Sequence, residues 1–325
     1  MQLRIPRSAF PVKKILLATD FSAAADAAFQ ESLLLCAQFS ASLYILNVFD
    51  YSSSAPPESG GLFIDLANFR EEAKLSLERL IYTARQSGVS CDGTVTTGLA
   101  HATILNTMTS QSCDLVVLGT RAIRGFERLV FGSTAEAVLR NAARPVFTVG
   151  PQGGKNRAVR LARDGVVVFA TDFHVATTEA IAYAALFART LNLPLHCIHV
   201  LPRSLDEDKP ELPIVQIITK ALQHLTTDIN RQNDQPPVCA ITYGSEISNS
   251  VVEYARKHDA RLIVLGVRRA SFAASHVPAH IAYRIIAEAD CPVLTVAFPL
   301  EPRPIKATIA QEALPEAVSV LSLTG

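Results

Sequence analysis

The sequence predicts an α/β protein made of two copies of one unit, each a parallel sheet with helices on both faces. Two observations lead to this prediction: three motifs recur in one order, and apolar runs alternate with amphipathic stretches within each copy. Motifs that recur in one order roughly 150 residues apart indicate a duplicated domain. The paired motifs are LLATDFS at 16–22 and VFATDFH at 168–174, LVVLG at 115–119 and LIVLG at 262–266, and ARPVFTV at 143–149 and DCPVLTV at 290–296.

The first copy begins with a continuous apolar run at Ile15–Thr19, which is typical of a strand buried on both faces. Ser22 then caps a helix that extends to about Phe39. A second strand at 43–49 precedes an amphipathic helix at 65–86, which Gly88 ends. The remaining predicted elements are strands at 94–97, 115–118 and 146–149 and helices at 102–110 and 133–142.

The second copy repeats this alternation, with helices near 177–191, 211–231, 248–258 and 279–289. Strands that alternate with helices imply a parallel sheet covered on both faces. The polar segment 150–165 separates the copies. We therefore predict domains at 1–150 and 151–300, followed by a flexible tail at 301–325 that contains three prolines.

The composition limits the classes of partner and compartment. Thirty Lys and Arg balance thirty Asp and Glu, so the chain of 325 residues has no net charge to attract nucleic acid or acidic membranes. A 49% apolar content excludes disorder of the whole chain. No apolar run approaches the roughly 20 residues that span a bilayer. The six cysteines lie far apart, which favours buried apolar residues in a reducing compartment and hence the cytoplasm.

The loop after the fourth strand carries the clearest chemical signal. Ligands of open parallel sheets bind beyond the carboxyl ends of the strands, and there the chain has GTRAIRGFERLVFGST at 119–134. Gly132 and Ser133 open a helix, and free amides at a helix N-terminus bind phosphate. Ser133 with Glu136 also fits a capping box. The alternative is an ordinary capped helix, with the loop arginines simply solvated.

The same loop resembles the nucleotide motif of the universal stress protein family, Gly-x2-Gly-x9-Gly-Ser/Thr. The opening ILLATDFS, the segment ILNVFD, Gly98 and the closing RPVFTV also resemble that family, and the likeness extends over 12–150 and more loosely over 163–298. The resemblance implies two tandem Rossmann-like domains, each with five parallel strands in the order 3-2-1-4-5. It also implies a site for ATP or AMP, with or without Mg²⁺, across strands one and four.

The resemblance assigns roles to particular residues of the first copy. Thr19, Asp20 and Phe21 are expected to line the adenosine pocket, and the backbone of Val48 to contact adenine. For Asp20 the alternative role is a solvated cap of the first helix. The residues expected around ribose and phosphates are Gly119, Arg121, Ala122, Gly132, Ser133 and Thr134.

Two departures from the family motif weaken the expected sites. Ala122 occupies the motif's second glycine, where a positive φ would cost on the order of 1 kcal/mol and a methyl group would crowd a phosphate. In the second copy Ala279 and His280 replace Gly132 and Ser133. We therefore expect a degenerate second site without a triphosphate, formed by Asp172, Val200, Gly266, Ala279 and His280.

Three functional hypotheses follow. The leading one is a non-catalytic, adenine-nucleotide-binding stress-response protein in which occupancy orders the loop 119–132 for a partner. The alternatives are a slow ATPase, although the loop offers only Glu127 as a carboxylate, and a non-binding dimerisation module. We predict that the fifth strands pair within the chain as a pseudo-dimer, and a further homodimer is possible. A metal or anion site at His174, His199 and His280 is a weaker alternative.

Overall fold

The computed structural model of the chain describes residues 12–49, 66–120, 132–151, 165–174, 180–203, 213–230, 235–268 and 278–298. Strands and helices alternate throughout these ranges, as the apolar periodicity predicts. The first half consists of β1 Lys14–Ala18, α1 Ala23–Phe39, β2 Ser42–Phe49, α2 Leu66–Gln86, β3 Cys91–Thr97, α3 Ala100–Ser110, β4 Leu115–Gly119, α4 Ser133–Asn141 and β5 Val146–Val149.

The second half repeats this order. Its elements are β6 Val166–Ala170, α5 Ala180–Thr190, β7 Leu195–Leu201, α6 Pro213–Asn230, β8 Val238–Tyr243, α7 Ile247–Lys257, β9 Ala260–Arg268, α8 Pro278–Glu288 and β10 Val293–Phe298. The predicted helices and strands agree with these bounds within a few residues. Strand β3 begins at Cys91 rather than at residue 94, because sheet pairing extends it over Asp92 and Gly93.

The strands form one ten-stranded sheet in the order β3-β2-β1-β4-β5-β10-β9-β6-β7-β8. Each half therefore has the order 3-2-1-4-5 that the family resemblance implies. Pairing is parallel within each half, as in the β1–β2 and β1–β4 ladders. The two halves meet where β5 lies antiparallel to β10, with Val293 opposite Thr148. The α/β fold with helices on both faces is confirmed.

Alternating side chains of the buried strands supply two cores, one on each face of the sheet. In β1, Ile15 and Leu17 point to the face covered by α1, α2, α5 and α6, whereas Leu16 points to the face covered by α3, α4, α7 and α8. All three are fully buried. Each core includes residues of both halves. On each face of the sheet, the hydrophobic interior therefore runs without a break from the first half to the second.

Side chains reinforce the joint between the halves. Phe187 of α5 lies between Phe39 of α1 and Phe147 of β5, with ring centroids 5.0 and 6.4 Å away. On the opposite face, Arg140 of α4 donates a 3.1 Å hydrogen bond to the hydroxyl of Tyr283 in α8. The joint therefore combines a backbone ladder, an aromatic cluster and a polar contact. Residues 152–164 of the predicted seam at 150–165, and the predicted tail, lie outside the described residues.

Candidate functional site

The carboxyl ends of β1 and β4 form the centre of the candidate site. Ala18 pairs with Leu118, so Thr19 and Asp20 leave β1 beside the point where Gly119 ends β4. Strand order reverses here, because β1 lies between β2 and β4. A crevice at such a reversal is where open α/β sheets bind ligands. The structure thus brings the predicted adenosine residues to the predicted edge.

Side chains of the segment after β1 hold it in a tight turn. The hydroxyl of Thr19, which is buried, accepts the amide of Phe21 at 3.0 Å, and Asp20 Oδ1 accepts the amide of Ser22 at 3.0 Å. Phe21 has φ of 57°, a left-handed conformation that is rare for a bulky residue. Such backbone strain persists only where surrounding contacts hold it, and it is enriched at ligand sites.

Asp20 therefore acts as a turn-forming carboxylate at an exposed position. The cap of α1 is Ser22, whose hydroxyl accepts the amide of Ala25 at 3.4 Å, as predicted. Asp20 supports the entry to the helix without being its N-cap. The alternative role, the cap of the first helix, therefore belongs to Ser22, whereas contact of the Asp20 carboxylate with a ligand stays a prediction.

Asn47 is a site residue that the sequence analysis missed. Its side-chain amide donates to the carbonyl of Thr19 at 2.9 Å, and the amide of Thr19 donates to the carbonyl of Leu46 at 2.9 Å. The side chain of Asn47 is buried on β2, directly before the half-buried Val48. Asn47 therefore fastens the end of β1 to β2 at the place where adenosine is predicted to bind.

Gly119 is required by packing against α1. A Cβ atom at this position would overlap with the backbone of Ala24 and lie 2.9 Å from the amide nitrogen of Ala25. The glycine therefore lets the first turn of α1 approach β4. Its predicted contact with ribose or phosphate stays a prediction, and any such contact would use backbone atoms.

The N-terminus of α4 differs from the capping box that the sequence predicts. The N-cap is Gly132 rather than Ser133, and no side chain caps it. Ser133 is instead the first helical residue, so the predicted Ser133–Glu136 box is wrong. A Cβ atom at Gly132 would meet no described atom within 4 Å, and Gly132 and Ser133 are both exposed. The first amides of a helix have no partner within the helix, so this end of α4 can donate to an anion.

The electrostatics of α4 suit an anion at its N-terminus. Glu136, in the first turn, would repel a phosphate, but its carboxylate lies 2.6 Å from the guanidinium of Arg140. The pKa of Arg140 is raised, first by its hydrogen bond with Tyr283 and also by Glu136. The ion pair draws the Glu136 carboxylate toward the C-terminal half of the helix. The Glu136 charge therefore offsets the positive end of the helix dipole less than an unpaired carboxylate would.

The connection between β4 and α4 supplies two of the predicted phosphate residues, Arg121 and Ala122. Both lie outside the described residues, as do Gly125 and Glu127. The predicted effect of the alanine at position 122 stays a prediction.

The second half builds the same turn after its first strand. Thr171 accepts the amide of Phe173 at 3.0 Å, Asp172 accepts the amide of His174 at 2.9 Å, and Phe173 has φ of 61°. His199 takes the place of Asn47, with Nδ1 2.8 Å from the carbonyl of Thr171. A carbonyl can only accept, so Nδ1 carries the hydrogen. The turn that the sequence analysis assigns to the second adenosine pocket therefore keeps the backbone geometry of the first.

Burial lowers the pKa of His199, although the carbonyl of Thr171 and the charge of Asp172 oppose the change. The ring of Phe173 lies against the imidazole, with centroids 4.9 Å apart. His199 is therefore a neutral structural donor near pH 7. It fastens the end of β6 to β7 as Asn47 fastens β1 to β2.

The phosphate side of the second crevice is different. Helix α8 begins at Pro278, so Ala279 and His280 lie within its first turn rather than at its cap. A proline at the first helical position has no N–H. The start of α8 therefore offers an anion one backbone amide fewer than the start of α4. This loss adds to the replacement of Gly132 by Ala279. Gly266 lies within β9, and Val200 is half-buried on β7.

The histidines of β7 point to opposite faces of the sheet, as their spacing predicts. His196 packs with Tyr254 and His258 of the α7 segment, and its Nδ1 lies 3.0 Å from the Tyr254 hydroxyl. Burial, and secondarily His258, lowers the pKa of His196. Across the described residues, no group of three or more His, Cys, Asp or Glu side chains is placed to hold a metal ion. The side chain of His280 lies outside this description.

Comparisons with known proteins agree with this architecture. The profile of the universal stress protein family matches residues 11–150 and 165–297. The universal stress protein MJ0531 of Methanocaldococcus jannaschii is 30% identical over 138 residues, which cover 42% of this chain and 81% of that protein.

The helices of the described ranges are all too short or too polar to cross a membrane.

Solved structures show the same two-unit fold. A universal stress protein from Archaeoglobus fulgidus DSM 4304 superposes with a TM-score of 0.70 at 19% identity, covering 89% of this chain and 99% of that chain. The functionally unknown protein PA1789 from Pseudomonas aeruginosa PAO1 superposes with a TM-score of 0.58 at 15% identity, covering 88% and 92%. With both halves matched by the family profile, the chain belongs to the universal stress protein family and carries two tandem copies of its domain.

Proposed function

We propose that the first half binds an adenine nucleotide, ATP or AMP, and that the chain acts as a regulatory module of the stress response rather than as an enzyme. The observation that carries the proposal is the N-terminus of α4 at Gly132, which no side chain caps and which follows β4, the strand whose carboxyl end lies beside that of β1. In this proposal the helix end binds the phosphates of the nucleotide, and the strained polar turn binds its adenosine.

The two sides of the crevice have separate tasks. Asp20 and the backbone around Phe21 and Val48 hold the adenosine, at an end of β1 that Asn47 fixes in place. The amides of Ser133 and Thr134 donate to the phosphates. Mg²⁺, when bound, neutralises phosphate charge, and its ligands would come chiefly from the phosphates and water.

The second half is proposed to be the scaffold of the pair. Its turn at Asp172 matches the first, but Pro278 removes an amide from the start of α8. A phosphate there would lack a donor that the first half supplies. The antiparallel β5–β10 ladder supports an intramolecular pseudo-dimer as the working form. Six free cysteines, five of them buried, support a reducing location such as the cytoplasm.

The first experiment identifies a ligand that the protein retains. The purified full chain is denatured, and the released small molecules are separated by chromatography. ATP or AMP in the supernatant supports the proposal. ADP that accumulates with time in the intact protein supports the slow ATPase. A protein that releases no nucleotide, and binds none in calorimetry, supports the dimerisation module and overturns the proposal.

A matched pair of variants locates the site. Gly132→Val places a branched side chain at the start of α4, where a Cβ atom would meet no described atom within 4 Å, and Ala279→Val makes the corresponding change in the second half. We expect Gly132→Val to weaken calorimetric ATP binding at least tenfold, about 1.4 kcal/mol, while Ala279→Val leaves it unchanged. Circular dichroism checks that both variants fold. Equal binding by the two variants would move the site away from α4.

The alanine of the loop provides a test in the opposite direction. Ala122→Gly restores the family glycine and is expected to tighten ATP binding, because it removes a methyl group and any strain at positive φ. The measurement is the same calorimetric titration. An unchanged or lower affinity would contradict the role given to residue 122.

A further inference from the structure

Two cysteines face each other at the outer end of the second half-sheet. Cys197 of β7 and Cys239 of β8 are directly opposite in the parallel ladder between these strands. Residues opposite each other in a parallel ladder project to the same face, and both side chains belong to the core beneath α5 and α6. They therefore form a pair rather than two separate thiols.

The spacing of this pair suits a disulfide. Neighbouring strands lie about 4.8 Å apart, and the Cα atoms of bonded cysteines are usually about 4.4–6.8 Å apart. Ile45 and Gly93 occupy the same register in the first half. A Cβ atom built on Gly93 would lie 2.9 Å from Leu77 Cδ1 and 3.2 Å from the Cβ of Ile45, so the first half has no room for a cysteine pair at this position.

The two thiols differ in their access to solvent. Cys197 has 0% exposure, and burial, followed by the proximity of Cys239, raises its pKa well above the usual range. Cys239 is only half-buried on β8, the terminal strand of the sheet. Its sulfur lies 3.6 Å from the hydroxyl of Thr226, whose hydrogen goes to the carbonyl of Gln223 at 3.0 Å. A small oxidant therefore reaches Cys239 first.

We propose that Cys197 and Cys239 form an oxidation-sensitive pair that a peroxide converts to a disulfide across β7 and β8. The Cys239 sulfur attacks one peroxide oxygen, the O–O bond breaks, and Cys239 becomes a sulfenic acid as water leaves. The Cys197 sulfur then displaces the hydroxyl group from the Cys239 sulfur, and a second water leaves. Two thiols and one hydrogen peroxide thus yield one disulfide and two waters, with the peroxide reduced by two electrons.

The pair is a property of this half alone, since the equivalent residues of the first half are isoleucine and glycine. The other cysteine pair that interacts electrostatically is Cys36 and Cys91, where burial and secondarily Cys91 raise the pKa of Cys36 to about 12. Both of those thiols are buried. Because an oxidant must enter from solvent, the Cys36–Cys91 pair serves as a buried control for the Cys197–Cys239 pair.

Peptide mapping of the full chain tests the proposal. Protein treated with hydrogen peroxide is denatured, alkylated and digested with trypsin without reductant. Tryptic peptides 190–203 and 232–256 each contain one cysteine, so the bond appears as a single linked species. We expect this species, two hydrogens lighter than the separate peptides and released by dithiothreitol, as the dominant product. Cys239→Ser should abolish it, and Cys113→Ala should retain it.

Other products would overturn the proposal. Peroxide-treated protein with all six thiols alkylated would show that the pair does not react. Cys239 trapped as sulfinic acid without the link, or a dominant Cys36–Cys91 bond, would show that Cys197 does not complete the step. Cys239→Ser changes one atom of a half-buried residue on a terminal strand, so it is expected to fold, and circular dichroism checks this.

Discussion

Replacing Gly150 with alanine tests the joint between the halves most directly. Gly150 follows β5 and is buried, and a Cβ atom there would overlap with the carbonyl oxygen of Ile286 and lie 3.4 Å from its carbonyl carbon. Ile286 belongs to α8 of the other half and has 0% exposure. The added methyl group therefore meets helix backbone, which cannot change rotamer to avoid it.

The loss of stability depends on which segment moves to make room for the methyl group. Either α8 shifts as a body, or the end of β5 leaves the ladder with β10. Overpacking of this kind costs about 1–3 kcal/mol. For a chain of 325 residues, we expect Tm to fall by roughly 1.5 °C per kcal/mol. Positive φ adds nothing to this cost, because Gly150 is not among the glycines in that conformation.

Thermal unfolding followed by calorimetry measures the effect. Gly132→Ala is the control, because its Cβ atom would meet no described atom within 4 Å and its φ of −61° suits alanine. Loss of a glycine cap costs at most on the order of 1 kcal/mol. A Gly150→Ala protein that folds with the Tm of the unmodified chain would refute the close approach of the two halves.

Three further predictions concern residues already described. Asn47→Ala leaves the carbonyl of Thr19 without its side-chain donor and is expected to lower the free energy of unfolding by about 1–3 kcal/mol in urea titrations, whereas Asn47→His should recover part of it. Phe187→Ala empties the aromatic cluster at the joint and is expected to cost about 3–5 kcal/mol in the same assay; a loss below 1 kcal/mol would contradict its packing role. For His199 the folded pKa lies below the ordinary 6.5, so the unfolded chain binds more protons and stability falls as the pH drops through and below 6.5. His199→Asn keeps a donor for Thr171 and should flatten that pH dependence, and an unchanged slope would contradict the assignment.

The sequence predicts the architecture well because each helix or strand is indicated by a short segment and the same segments occur in both copies. The apolar run ILLAT specifies a buried strand without knowledge of its neighbours, and Ser22 caps α1 as expected. Strand β5 agrees residue for residue with the predicted Val146–Val149. Each of these predictions depends on a short segment and on general propensities.

Features that depend on tertiary register could not be predicted in the same way. The contact from Asn47 to Thr19 requires the pairing of β1 with β2, which no single segment encodes. A signal did exist, since a polar residue interrupts the apolar strand at the same place in both copies, as Asn47 and as His199. Buried polar groups need partners. The N-cap at Gly132 was missed because Ser133 and Glu136 satisfy the spacing of a capping box by residue type alone.

The antiparallel joint determines how the two crevices relate. Because β5 and β10 run in opposite directions, the carboxyl ends of the two half-sheets face opposite ends of the molecule, so one small ligand cannot touch both. Helices α4 and α8 meet through the hydrogen bond between Arg140 and Tyr283. A shift of α4 on ligand binding would pull directly on α8. This hydrogen bond therefore joins the two halves by a contact separate from the β5–β10 ladder.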